Sequence, residues 1–366
     1  MASSQNQTGR CSTGWCSTGL GRSPNSVWSI LPLLFLVFGS VSIAEDAISR
    51  IALGSCADQK KRHIIWDAIV EQEPDLFLFL GDNIYGDTED MDEMREKYAQ
   101  LAAKPGFQKL RETCPILAVW DDHDYGVNDG GEEYPMKVES EAVFHDFFET
   151  PENAPVRGYP GTYDVRWFGS LEDGTRLQIV MLDTRYFRSE LVELDKRSPH
   201  GPYDRNRDPQ STILGEAQWK WLEEQLREPA DLRIVLTSIQ LIPQDHHWEL
   251  WENFPHERKR FLDLLRETET GPIILASGDR HMGEFSALKT DDPSSPGFPV
   301  YEMTTSGLTN AGGGRNGEPN RHRVSPINFQ SRNFGMMEID WEKRTMLMEL
   351  RDVEGQVVDS FEVPGF

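Results

Sequence analysis

The stretch that decides the fold is Leu76–Asp87, LFLFLGDNIYGD, an apolar run that ends abruptly in glycine and acidic residues. Five apolar residues without polar alternation predict a β-strand that is buried on both faces. An apolar run followed by a polar, often acidic, cluster recurs along the chain. The other runs are Ile51–Leu53, Ile116–Trp120, Leu177–Leu182, Ile234–Leu236 and Ile273–Ala276.

Segments with helical spacing of apolar residues separate several of these runs. They are Arg62–Gln72, Met91–Ala103, Glu216–Leu226 and His256–Glu267. Strands that alternate with helices predict an α/β fold. Near the C-terminus, Phe334–Trp341 and Thr345–Val353 predict an antiparallel hairpin. Residues 306–333, rich in Gly, Asn and Arg, predict a long surface loop beside the site.

The charge balance excludes some classes of partner. The chain has 366 residues, with 37 Lys and Arg against 61 Asp and Glu, so its formal net charge is −24. Non-specific binding to nucleic acid or to an anionic membrane requires basic patches, which such a chain is poorly equipped to supply. If the substrate is anionic, something other than net charge must attract it. Bound metal cations are the obvious candidate.

The N-terminal region predicts a targeting segment. The apolar run Trp28–Gly39 is followed by small residues at Ser42 and Ala44, which fit a signal-peptidase site after Ala44. The run is short for a membrane-spanning helix, which needs about 20 residues. We therefore expect residues 1–44 to be a cleaved signal peptide, with an uncleaved anchor at residues 28–44 as the alternative. In either case the folded part would lie outside the cytoplasm, secreted or periplasmic.

Acidic residues and histidines follow three of the predicted strands. Asp82 follows one strand, Asp122 and His123 belong to the run DDHD after another, and Asp279 and His281 follow a third. Ligands of α/β sheets bind beyond the carboxyl ends of the strands, so these clusters should converge. Asp279 and His281 should project to the same side if their backbone is extended. Three clusters of this kind predict a metal site.

These motifs together resemble a known family. GSC, GDNIYGD, VWDDHDYGVND, LDTRYFRS, ILGEAQWKWLE, TSIQ, FPHER and SGDRHMGE are similar, in this order, to the PhoD-like alkaline phosphatases. That family belongs to the calcineurin-like metallophosphoesterase superfamily, and the resemblance runs from about residue 50 to about residue 340. It implies an α/β/β/α sandwich of two mixed sheets flanked by helices. We expect a single catalytic domain over residues 45–366. It should begin almost directly after Ala44, because too few residues lie between Ala44 and Ile51 for the β-sandwich domain that precedes it in some PhoD-like proteins.

The resemblance implies a site with Fe³⁺ and Ca²⁺, or with another divalent metal pair. Around the ferric ion it places Cys56, Asp82, Tyr85 and His281, with Asp82 bridging toward calcium. Thiolate, phenolate and imidazole ligands suit Fe³⁺ better than an all-oxygen site would. For calcium it implies the oxygen ligands Asp279, Asn128 and Asp122. Cys56 could instead be a small buried thiol and Tyr85 a packing aromatic, whereas Cys114, at the opposite end of a strand, is expected to be structural.

The implied activity is hydrolysis of a small phosphomonoester or phosphodiester, with a metal-bound hydroxide attacking phosphorus in line. His123 would protonate the leaving group or steady the transition state, or else lie behind the ligands. Arg185 and Arg280 would bind phosphate oxygens or pair with a neighbouring acid. The alternatives are a phospholipase D-like diesterase on the same scaffold and a non-catalytic secreted calcium-binding protein. No specific nucleic-acid or protein partner is implied, and a membrane only through an uncleaved N-terminal segment.

Overall fold

Two mixed β-sheets form the centre of the protein in a computed structural model that describes residues 47–271, 273–312 and 317–366. In chain order the strands of these residues are β1 (Arg50–Gly54), β2 (Leu76–Leu80), β3 (Ile116–Val119), β4 (Asp164–Phe168), β5 (Leu177–Met181), β6 (Val192–Ser198), β7 (Gly201–Asp204), β8 (Leu232–Leu236), β9 (Ile273–Ser277), β10 (Gly283–Leu288), β11 (Val300–Thr305), β12 (Phe334–Asp340), β13 (Thr345–Arg351) and β14 (Val357–Val363). The predicted signal or anchor at residues 1–44 lies outside the described residues.

The first sheet has the strand order β14-β13-β12-β1-β2-β3. Its β1, β2 and β3 are parallel, whereas β12, β13 and β14 continue the sheet in antiparallel pairs. The predicted C-terminal hairpin is therefore confirmed as β12 and β13. The carboxyl ends of β1, β2 and β3 lie side by side, so the residues that follow them meet at one edge.

The second sheet has the order β10-β11-β9-β8-β5-β4. Its four central strands β11, β9, β8 and β5 are parallel, and β10 and β4 add antiparallel edges. Strands β6 and β7 belong to neither sheet and form a separate two-stranded ribbon. This ribbon was not predicted from the sequence.

The two sheets pack face to face through alternate residues of their strands. In β2, Leu76, Leu78 and Leu80 join the core between the sheets, whereas Phe77 and Phe79 point into the outer, helix-covered core. Successive side chains of a strand point to opposite faces, so the run LFLFL serves both layers, and all five residues are buried. The prediction of a strand buried on both faces is confirmed.

Helices cover the outer face of each sheet and complete the α/β/β/α sandwich. The helices of the described residues are α1 (Ile65–Val70), α2 (Met91–Ala102), α3 (Pro105–Thr113), α4 (Asp122–Tyr125), α5 (Lys137–Phe147), α6 (Gly215–Leu226) and α7 (Pro255–Glu267), with 3₁₀ turns at Pro155–Gly158 and Trp251–Asn253. Helices α1 to α3 pack on the first sheet, and α6 and α7 pack on the second. None of these helices is long and apolar enough to cross a membrane.

The predicted helices are found with shifted ends. α2, α6 and α7 begin within one residue of prediction, and α2 is capped by the Asp90 carboxylate, which accepts the backbone N–H groups of Asp92 and Glu93. α1 is shorter than predicted, because it begins at Ile65 rather than Arg62. The predicted surface loop at residues 306–333 does border the site, but its first part is buried, since Ser306 and Leu308 are fully covered.

Candidate metal centre

The strand ends of both sheets open into one cavity of about 780 Å³. Seven of the residues predicted for the site line it: Asp82, Asp122, His123, Asn128, Asp279, Arg280 and His281. Cys56 and Tyr85 lie directly behind this lining, in contact with Asp82. The structure therefore brings together nine of the ten residues named from the sequence.

Asp82 occupies the centre of the site and is shared by two groups of donor atoms. Ligand atoms of Cys56, Asp82 and His281 lie within 4.8 Å of one another, and so do those of Asp82, Asp122 and His123. One carboxylate common to two such groups is the arrangement in which a bridging ligand serves two cations. Gly81 makes the approach possible, because a Cβ there would lie 2.4 Å from Cβ of Asp121.

The first group contains a thiol, a phenol, an imidazole and a carboxylate. Cys56 Sγ and Tyr85 Oη each donate to Asp82 Oδ2 at 3.3 Å, and Tyr85 Oη lies 2.9 Å from His281 Nε2. Asp82 Oδ1 is buried, and none of the described residues donates a hydrogen bond to it. Cys56 and Cys114 are both free thiols. The orphaned oxygen and the mixed donor set fit a bound metal ion.

The pKa values of the first group also fit a bound metal ion. Burial raises the pKa of Cys56 to about 11 and raises the pKa values of Asp82 and Tyr85 well above their ordinary ranges. The protein alone therefore disfavours the anionic forms that bind metal. A cation would reverse this preference, because coordination deprotonates thiols and phenols.

The second group is rich in oxygen donors. Asp122 is buried, and although burial opposes its charge, His123 and Arg185 hold its pKa well below the ordinary range. Its Oδ2 accepts the backbone N–H of Asp129 at 2.6 Å, which ties the loop that carries Asn128 to the site. Burial raises the pKa of Asp279 to about 6. Carboxylate and amide oxygens of this kind suit Ca²⁺.

Of the three acids in the run DDHD, only Asp122 lines the cavity. The run forms the single turn α4, and Asp124 turns inward, where its carboxylate accepts the backbone N–H groups of Asp82 and Asp121 at 3.0 and 2.8 Å. The Asp124 carboxylate thereby fixes the end of β2 relative to the start of α4. Its role in the structure is to hold the loop that carries Asp82.

His123 is oriented by an acid that sequence reasoning missed. His123 Nδ1 lies 2.6 Å from Oδ1 of Asp87, the last residue of GDNIYGD, and its ring packs against that of Tyr85 with the centroids 4.1 Å apart and the planes tilted by 34°. Burial lowers the pKa of His123, but the charges of Asp122, Asp82 and Asp87 outweigh burial and raise it to about 11. The second acid of the motif was a signal available in the sequence.

Arg185 does not line the cavity, where a phosphate ligand was expected. It is fully buried behind the cavity, where Nε donates to Asp121 at 2.6 Å and Nη1 donates to Glu249 at 2.6 Å. The alternative of pairing with neighbouring acids is therefore the correct one, because both carboxylates require a buried countercharge. Arg280 does line the cavity, and its guanidinium is held by Glu318 at 2.6 Å and by Asp279 at 3.3 Å.

Asp279 and His281 do not have the extended backbone on which their expected projection to the same side depended. Their φ angles are +62° and +55°, so both residues are left-handed. Cys56 and Asp82 share this conformation, with φ angles of +62° and +51°. Residues other than glycine rarely adopt it. The candidate ligands reach the cavity through sharp backbone turns.

Comparison with known proteins identifies the family. The family model described as PhoD-like phosphatase matches residues 51–350. The chain belongs to the PhoD-like phosphatase family. Among curated proteins it is similar to alkaline phosphatase D of Bacillus subtilis (strain 168), with 23% identity over 305 residues, which cover 72% of this chain and 51% of that protein. The chain thus spans about half the length of the curated relative it matches.

Solved structures support the same fold. A structure of PhoD matches with a TM-score of 0.68 at 17% identity, and the match covers 88% of this chain and 69% of that one. A dimetal phosphatase from Danio rerio matches with a TM-score of 0.50 at 13% identity, covering 88% of this chain and all of that one. The predicted PhoD-like sandwich of two mixed sheets is confirmed.

Proposed function

We propose that the protein is a metal-dependent hydrolase of phosphate esters in which water displaces the leaving alcohol in line at phosphorus. The observation that carries the proposal is the shared position of Asp82 between two groups of donor atoms in one cavity. Membership of the PhoD-like phosphatase family supports the class of reaction. The substrate would be a small phosphomonoester or phosphodiester.

The donor chemistry favours two different metals. A ferric ion would be held by Cys56, Asp82, Tyr85 and His281, and a calcium ion by Asp82, Asp122, Asn128 and Asp279. Bound there, the cations would neutralise phosphate charge and lower the pKa of a water molecule. We retain another divalent pair as the alternative, because carboxylates and histidines also bind other divalent ions.

His123 is the residue best placed to hold and deliver a proton. Nδ1 is engaged by Asp87 at 2.6 Å, so Nε2 is the nitrogen left for the cavity that His123 lines. Because neighbouring acids raise its pKa to about 11, the ring carries a proton at neutral pH in the protein alone. We assign it as the general acid that protonates the leaving oxygen.

Arg280 would orient the phosphate. Its guanidinium is fixed on the cavity wall by Glu318 and Asp279, so little side-chain freedom is lost when an anion binds. A planar guanidinium also matches the geometry of two phosphate oxygens.

The proposed export of the protein rests on the sequence of residues 28–44 alone.

The test separates proton transfer from metal binding. Chelator-treated protein, verified metal-free by elemental analysis, should lose activity and regain it with calcium and iron. Asp82→Ala should lose metal and activity together. His123→Ala should keep its metal and lose about 10²–10⁴-fold in turnover, with a smaller loss for esters with good leaving groups.

His256, on α7 and outside the cavity, provides the matched control, and His256→Ala should change neither metal content nor turnover. Full activity in verified metal-free protein would refute the proposed function. If His123→Ala loses metal as completely as Asp82→Ala does, His123 belongs among the ligands, as its position in the second donor group allows.

A further inference from the structure

The β6–β7 ribbon lies outside both sheets but is firmly attached at the cavity wall. The backbone N–H of Tyr203 donates to the carbonyl of His247 at 2.8 Å, and the N–H of His247 donates to the carbonyl of His200 at 2.7 Å. Tyr203 Oη donates to Oδ2 of Asp129 at 2.5 Å, which joins the ribbon to the loop after α4. The ribbon is therefore held in place relative to the metal-binding loops.

The ribbon and the loop after His247 contribute one side of the cavity. Their lining residues are Glu193, Arg197, Pro202, Tyr203, Trp248 and Glu249. The guanidinium of Arg197 lies 5.6 Å from the ring centroid of Trp248, and the guanidinium of Arg280 lies 4.9 Å from the same ring. Trp248 thus lies between the guanidinium of Arg280, which contacts Asp279, and that of Arg197 on the ribbon.

These two arginines differ in their charge environment. Arg280 is neutralised by Glu318 and Asp279. Arg197 is exposed, and no carboxylate of the described residues lies within 4.0 Å of its guanidinium. Glu193, on the same ribbon, contributes an opposing charge to the cavity lining without forming an ion pair with Arg197. Arg197 therefore presents a positive charge that no described acid within ion-pair distance balances.

We propose that Arg197, supported by Trp248, forms a subsite for a second anionic group carried by the leaving alcohol. This inference rests on the proposed function and names its substrate class, phosphate esters whose alcohol bears a carboxylate or a further phosphate. The cavity of about 780 Å³ is in the size range that encloses a whole small ligand rather than one phosphate group. A cationic group beside Trp248 is disfavoured, because two guanidinium groups already lie against that ring.

The test compares two stable ligands that differ only in one charge. They are 4-(carboxymethyl)phenylphosphonate and the analogue in which a neutral carboxamide replaces the carboxylate. Both keep the phosphonate, and calorimetry on the metal-loaded protein gives the binding constant of each. The wild type should bind the acid about fivefold more tightly than the amide, the upper end of what an exposed charge pair supplies. Arg197→Gln should bring this ratio close to one.

Two variants of the same strand provide controls. Lys196→Gln removes the same charge from the neighbouring position, which does not line the cavity, so it should keep the fivefold ratio. Glu193→Gln removes the opposing charge and should increase the ratio. Unchanged melting temperatures will show that each variant is folded, as expected for exposed positions.

Hydrolysis of the corresponding phosphate esters distinguishes the two proposals. An acid-to-amide ratio that is the same in Arg197→Gln as in the wild type, while both esters are hydrolysed, overturns the subsite alone. A ratio that falls only in Arg197→Gln supports the subsite. If the acid-to-amide binding ratio falls only in Arg197→Gln but metal-loaded protein hydrolyses neither ester, the anion subsite stands and the proposed function fails.

Discussion

Replacing Arg185 by methionine should destabilise the fold rather than weaken phosphate binding. The guanidinium is completely buried and bonds to Asp121 and Glu249, which are themselves 0% and 2% exposed. Arg185→Met keeps much of the side-chain volume but leaves two buried carboxylates without this countercharge. Glu249 would keep its contact with Arg188 at 3.0 Å, and Asp121 would keep its hydrogen bond from Ser238 at 2.6 Å.

Removing one partner of a buried ion pair costs about 3–5 kcal/mol, because the remaining charge stays desolvated. We expect a loss of this size in the free energy of unfolding, measured by urea denaturation followed through tryptophan fluorescence. At roughly 2 °C per kcal/mol, the melting temperature should fall by at least about 6 °C. Adding Asp121→Asn to Arg185→Met should restore about 1–2 kcal/mol, because it removes one of the uncompensated charges.

Arg227 provides the control, since it pairs with Glu223 one helical turn away and both side chains are about half exposed. Arg227→Met should cost no more than about 0.5 kcal/mol. A normal free energy of unfolding for Arg185→Met, together with a KM raised tenfold or more, would show that Arg185 reaches the substrate. That result would refute the assignment of Arg185 as a buried countercharge and restore the expectation that it binds phosphate oxygens.

Two further predictions concern stability and the ribbon. Burial and Arg157 lower the pKa of His145 from its ordinary value of 6.5 to about 4. Between these pH values the unfolded chain binds a proton that the folded protein does not, so stability should rise with pH across this window. His145→Gln should remove about 1–2 kcal/mol of that rise, measured by urea unfolding at pH 4.5 and 7.5, and an unchanged slope would contradict the assignment. Gly201→Ala should displace the ribbon and abolish the acid-to-amide preference, because its Cβ would lie 2.1 Å from the carbonyl carbon of His247; Gly271→Ala, with φ +73° and open space around it, should leave that preference intact.

The sequence predicted the buried strands and the α/β class from residue type, whereas the layered sandwich was implied by the resemblance to the PhoD-like family. Leu76–Leu80 shows the value of residue type well, since a run of five apolar residues bounded by glycine and polar residues is typical of a strand covered on both sides, and all five residues are buried. The ribbon has no such pattern. Val192–Ser198 reads VELDKRS, in which apolar and polar residues alternate only from Val192 to Asp195, and most of its side chains are exposed. So short an alternation, with no apolar run, did not mark the segment as a strand. Its position depends on backbone contacts with His247, which is distant in sequence.

Asp82, Asp122 and Asp279 could be predicted as candidate ligands for a different reason, namely that they closely follow predicted strands. Tyr85 and Asn128 were named only through the resemblance to the PhoD-like family.

Roles that depend on distant partners could not be predicted from a residue's position after a strand. Arg185 acquires its buried role only because folding brings Asp121 and Glu249, each 64 residues away, against its guanidinium. Arg280, with the same chemistry, remains on the cavity wall. The sequence around the two arginines does not distinguish these outcomes.

The left-handed backbone at the candidate ligands connects the architecture of the site to its energetics. Cys56, Asp82, Asp279 and His281 all have φ angles between +51° and +62°, a conformation that costs a non-glycine residue about 1–2 kcal/mol. Four such positions around one cavity concentrate strain where the sheets end, as is common at functional sites. The rest of the fold must offset this cost. Any ligand that binds only the folded protein adds to its stability and so helps to offset the strain. Glycine at these positions would relieve the strain but would supply no donor atom, so the same turns that weaken the fold are what direct thiol, carboxylate and imidazole into one cavity.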